Sequence, residues 1–81
     1  MWAAHVRIPT ADRPFAVVYY RDEEGWYVGE APELPGCVSQ ARTLDAFLAN
    51  IAEAIEGCRE VRLANGLPER EALVEPAPIL A

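Results

Sequence analysis

The chain has 81 residues, of which 52% are hydrophobic and 25% charged, with thirteen acidic residues against seven arginines and a net charge of -6. That is the composition of a folded domain; it excludes a disordered tail, and its negative field repels phosphate backbones and attracts basic proteins. A domain this small buries only about 60% of the surface its unfolded chain exposes, so oligomerisation, as a dimer or a tetramer, is expected.

In chain order, residues 2–8 alternate, with Trp2, Ala4, Val6 and Ile8 apolar around His5 and Arg7, the period of a half-buried strand. Residues 9–14, bounded by Pro9 and Pro14, carry turn chemistry. Residues 15–20 are apolar at every position, which predicts a strand covered on both faces. The acidic tip Asp22-Glu23-Glu24-Gly25 closes a hairpin, and residues 26–31 return as the partner strand. Within it, Trp26, Val28 and Glu30 share one face, and Tyr27, Gly29 and Ala31 the other. Gly29 in a strand marks close approach of another chain segment. Pro32 and Pro35 remove two amide donors, so the stretch 31–36 must be a corner, with Gly36 placed where positive φ is needed. Residues 37–41 are long enough for a further strand.

Thr43 is a good helix N-cap and Asp45 suits the first turn. At 100° per residue Leu44, Phe47, Leu48, Ile51, Ile55 and Cys58 form one stripe, with Asp45, Glu53, Glu56 and Glu60 opposite. One face packs on the sheet and the other is acidic. Asn65-Gly66 supplies the helix end, and Pro68 makes continuation unfavourable. The remainder holds two apolar pieces, Leu73-Val74 and Ile79-Leu80, between prolines, an arm able to pair in cis or in trans. The order defines a single α+β domain over residues 1–81: an antiparallel sheet of three to four strands packed by one main helix.

No residue set points to catalysis. His5 is the only histidine and has no nucleophile placed beside it in sequence. Phosphate-loop, dinucleotide and metal-ligand spacings are missing, so no cofactor and no metal is expected. The carboxylates fall on a hairpin tip, a strand end and the outer face of the helix, where they do not converge as a two-metal nuclease requires. Cys37 and Cys58 read as free thiols, too few for a disulfide framework. No apolar run approaches the length of a membrane span, and the expected location is the cytoplasm. Trp26, Tyr27, Tyr19 and Tyr20 lack the interleaved cations of a base-stacking platform, leaving core packing or a protein interface.

The "PELPGC" corner at residues 32–37, followed about six residues later by the "TLDAFLANIAEAIEG" helix opening, resembles the HicB antitoxin family over residues 14–68. The resemblance implies a reduced ribonuclease H-like fold that binds a small basic HicA-type toxin, an mRNA-cleaving protein, and covers its surface. Many members of that family also carry a C-terminal DNA-binding domain. After Gly66 this chain has fifteen residues, three of them proline, so no direct DNA binding is expected. The function expected is that of an acidic, non-enzymatic protein-binding module. Trp26, Tyr27, Leu34 and Pro35, chosen for size and exposure, and Glu53 and Glu56, chosen for charge, are the candidate partner-binding residues. The alternatives are a stand-alone oligomeric module with an unrelated partner and a metal-dependent ribonuclease H-like nuclease.

Overall fold

The structure, a computed structural model, describes residues 1–72. The apolar pieces Leu73-Val74 and Ile79-Leu80 lie outside the described residues. Four strands follow one another as an antiparallel meander: β1 (Trp2–Val6), β2 (Phe15–Arg21), β3 (Tyr27–Glu30) and β4 (Val38–Ala41), in that spatial order. One helix, α1 (Leu44–Ala64), completes the α+β architecture.

Register turns the strand alternation into a core. Val6 stands opposite Phe15, Ala4 opposite Val17, Tyr19 opposite Gly29 and Tyr27 opposite Ala41. The period of two puts these residues on one face, where Val6, Phe15, Val17 and Ala41 are buried against Phe47, Ile51 and Ile55 of α1. Burying each large apolar side chain contributes about 1.5–3 kcal/mol, so this single layer supplies most of the driving force. At Gly29 the sheet leaves room for a side chain of the helix. A Cβ there would lie 2.6 Å from the Cβ of Tyr19 and 2.7 Å from Cζ of Phe47, as well as against the Val18 carbonyl oxygen. The missing side chain is what lets the Phe47 ring reach the sheet.

Both helix ends are closed by local chemistry. Thr43 Oγ1 accepts from the Ala46 N–H at 3.1 Å. At the other end the Leu67 N–H donates to the Arg62 carbonyl at 2.8 Å and the Gly66 N–H to the Leu63 carbonyl at 3.1 Å, the paired bonds of a Schellman end. The left-handed residue is Gly66, while Asn65 keeps a negative φ of -97° and its side-chain amide donates to the Val61 carbonyl.

One expectation is corrected. Among the described residues, the stretch 15–20 is covered on one face only: Phe15 and Val17 are buried under α1, Ala16 and Val18 are half-buried, and Tyr20 is 45% exposed. An unbroken apolar run reports that both faces avoid water, and it cannot report whether the second cover belongs to the same chain.

Candidate functional site

The corner after β3 is built from two successive turns. The Leu34 N–H donates to the Ala31 carbonyl at 2.9 Å and the Cys37 N–H to the Leu34 carbonyl at 3.0 Å, while the Ala31 N–H closes the loop on the Cys37 carbonyl. Gly36 takes φ 82°, the left-handed conformation expected of it. These turns aim Leu34 into the core, 1% exposed, and leave Pro35 outside at the tip. The expectation of an exposed Leu34 is thereby corrected, because an apolar residue in a corner between two prolines is drawn inward by the turn that follows it.

Beneath the corner lies a group that sequence reading missed. Glu33 is buried, and its Oε1 accepts from the Ala16 N–H at 3.0 Å. Arg70, carried back by the segment after α1, reaches both Glu33 oxygens at 3.4 Å and donates to the carbonyls of Pro14 and Arg13 at 2.9 Å. The Glu71 N–H bonds to the Glu33 carbonyl at 2.7 Å. This clasp joins the start of β2, the corner and the segment following the helix.

A groove of about 500 Å³ runs between this corner and the C-terminal half of α1. Leu34 and Pro35 form one wall, and Ala54, Cys58 and Val61 the other. Val61 is 61% exposed. The helical period places Glu53 and Glu60 beside Gly57 on the outer rim. The arginines at this end are already neutralised: Arg59 binds Glu69 at 2.8 Å and Arg62 binds Glu71 at 2.7 Å. Asp45, Glu53, Glu56 and Glu60 have no ion-pair partner among the described residues, so the helix face keeps its negative charge. Glu56 is half-buried and accepts from Thr10 Oγ1 at 3.3 Å, whereas Glu53 is exposed. Cys37 is buried behind the groove, where burial first, and then the neighbouring Cys58 thiol, pushes its pKa up to about 12.

The structure therefore separates the candidate residues. Leu34 and Pro35 line one groove with the helix, and Glu53 and Glu56 lie on that helix. Tyr27 joins Trp2, Tyr19 and Phe47 in a tilted aromatic cluster on the α1 side of the sheet, with ring centroids 5.5–6.5 Å apart. Trp26 belongs to the opposite face, where the Arg42 guanidinium stacks 4.6 Å from its ring. Among the described residues, no group of three or more His, Cys, Asp or Glu side chains is gathered to hold a metal ion. No helix among them is long and apolar enough to cross a membrane.

Fold and surface together define a small α+β domain with an apolar groove beside the carboxylates of α1 and, among the described residues, an open sheet face. The chain belongs to the UPF0150 family. It is 48% identical over 48 residues to a UPF0150 protein of Archaeoglobus fulgidus, a match covering 59% of this chain and 70% of that relative. A UPF0150 protein of Synechocystis is 50% identical over 46 residues, covering 57% of this chain and 67% of its own. A second from Synechocystis is 34% identical over 68 residues, spanning 82% and 86% of the two chains. No family model and no solved structure matches the chain at a significant level.

Proposed function

We propose that this protein is an acidic binding module of the HicB antitoxin type, which neutralises a basic HicA-type mRNA-cleaving toxin by covering its surface. The observation that carries the reading is the groove: an apolar strip of Pro35, Ala54 and Val61 floored by the buried Leu34, beside the helix carboxylates Glu53 and Glu60, which have no ion-pair partner among the described residues, while the lining Arg62 is paired with Glu71. Such a surface offers desolvated contacts for residence and negative charge for steering a basic partner. The two segments that build it, the 32–37 corner and the helix, are those that carry the family resemblance.

The test is co-expression with the small basic reading frame next to its own gene. Growth arrest by that neighbour, relieved by this chain and not by a Glu53→Arg, Val61→Asp variant, is the expected result. A genome that encodes no such neighbour, or a neighbour whose toxicity this chain leaves untouched, sinks the reading. The nuclease alternative draws no support from the carboxylates of the described residues that lie at the hairpin tip, on β3 and along the outside of α1, or that, as Glu33, Glu69 and Glu71, are paired with arginines.

A further inference from the structure

The sheet face turned away from α1 has no cover among the described residues. Alternation and register lay it out in rows that cross the strands. Tyr20 stands opposite Val28, which stands opposite Gln40; in the next row Ala3, Val18, Glu30 and Val38 stand side by side. Met1 continues the first row, and a hollow of about 400 Å³ lined by Met1, Val18, Tyr20, Val28, Glu30 and Val38 occupies the middle. Val38 is 61% exposed and Met1 88%. In a domain of 81 residues a contiguous apolar face of this kind is an interaction surface.

Its charges say what covers it. Continuing the register by one pair sets Trp26 opposite Arg42, and the guanidinium does stack on that ring. In the rows flanking Val28–Gln40 the face presents Glu30 and Arg42, neither with an ion-pair partner among the described residues, while Asp22, opposite Trp26, turns its Oδ1 to the Trp26 and Glu24 N–H groups and Arg7 stands just past the end of β1. Glu30 and Arg42 lie on either side of the Val28–Gln40 row, about 13 Å apart along the strands at 3.3 Å per residue. Opposite charges placed evenly about a line are self-complementary under a twofold rotation about that line, in which each residue meets what its counterpart meets.

We propose that the open sheet face is the contact between two copies of this chain, related by a twofold axis along the Val28–Gln40 row, so that Glu30 of each copy meets the partner's Trp26–Arg42 stack. The two sheets then pack face to face with aligned strands, about 10 Å apart, as in a β-sandwich. Tyr20 and Val28 lie close to the axis and bury against their own copies, and Val38 covers the stem of the partner's Arg42. The second cover that residues 15–20 call for is then a second copy of the same strand. This contact leaves the groove free on the outside of each copy.

Sedimentation equilibrium of the full chain from about 1 to 500 µM, in enough salt to screen the mutual repulsion of two chains of net charge -6, reads the association directly. The expected result is a mass rising from one chain to two. E30R and R42E each weaken association at least tenfold, while the double charge exchange E30R/R42E returns it to near the original constant. V38D, at an exposed position that the fold does not need, also abolishes the dimer, with circular dichroism and melting temperature unchanged. A monomer at every concentration overturns the proposal, as does a dimer that V61D on the groove dissolves and V38D does not. A double exchange that merely adds the two single losses would show that Glu30 and Arg42 do not meet. Loss of toxin neutralisation by V38D in a chain that never dimerises would assign the face to that partner and overturn the proposal too.

Discussion

The guanidinium carbon of Arg70 lies 3.7 Å from the ring centroid of Phe15, a residue with no exposed surface. The same group satisfies the Glu33 carboxylate and two carbonyls, so its charge is held from beneath by an aromatic face and from the sides by acceptors. Removing it leaves Glu33 buried with only the Ala16 N–H and the longer Arg13 contact at 3.6 Å. Arg70→Ala is therefore expected to lower unfolding stability by about 3–5 kcal/mol, the cost of orphaning a buried ion. Arg70→Lys, which keeps the charge and loses the planar fork, falls between. Urea denaturation measures both, and an Arg70→Ala midpoint equal to the parent's would mean that the clasp is ornamental.

Gly29 and Gly36 separate two reasons for glycine. At Gly29 the constraint is space, so Gly29→Ala pushes the Phe47 ring off the sheet and costs about 1–3 kcal/mol through overpacking. At Gly36 nothing lies within 4 Å of a new Cβ, and the constraint is the φ of 82° alone. Gly36→Val is expected to cost roughly 1–3 kcal/mol. Gly36→Asn, which tolerates the left-handed region, costs less. Thermal melting of the three variants distinguishes the mechanisms: equal losses for Asn and Val at position 36 contradict the backbone explanation.

With burial and the neighbouring Cys58 thiol pushing its pKa up to about 12, Cys37 stays a protonated thiol at pH 8, and it is buried besides. A maleimide at that pH should modify one cysteine per native chain, Cys58 on the groove, and Cys37 only after denaturant is added. Peptide mapping of the labelled site gives the answer; native labelling of Cys37 at a rate like that of Cys58 contradicts its burial.

Glu69 accepts hydrogen bonds from Arg59 and Arg70, which hold its carboxyl below the ordinary value of 4.5. A carboxylate depressed in the folded state stabilises above its unfolded pKa, and the contribution disappears as pH falls through the lowered folded one. Stability of the parent should thus decline below about pH 4.5, and Glu69→Gln should flatten that part of the profile. Because Glu69 is partly exposed, solvent screens the effect and the change is small. Urea midpoints from pH 3 to 7 for both chains show it, and superimposable slopes would assign the acid limb to other carboxylates.

Local pattern carried much of this fold. The alternation in β1, the Thr43 cap and the helical stripe through Phe47, Ile51 and Ile55 each depend on neighbours within a few residues, and each is legible in sequence. Leu34 was not, because its direction is set by hydrogen bonds across the corner and not by its own type. Nor was the Glu33–Arg70 pair, whose members are 37 residues apart with no periodicity to link them. A lone glutamate inside a proline-rich corner, and an arginine just past a helix stop, were the only hints. The groove shared that difficulty: Pro35 and Val61 meet through tertiary packing, and the rim became visible only once Arg59 and Arg62 were seen to be engaged by Glu69 and Glu71.

The meander order has a consequence for how the chain assembles. Every strand pairs with the one made just before it, across connections of a few residues, and the helix follows directly on the last strand. Contacts so local keep contact order low and folding fast, and they become available in the order in which a ribosome releases them. Arg70 emerges after all the elements it joins. A chain truncated before it would hold every strand and the helix yet lack the group that ties Phe15, Glu33 and the carbonyls of Arg13 and Pro14 to the segment after α1.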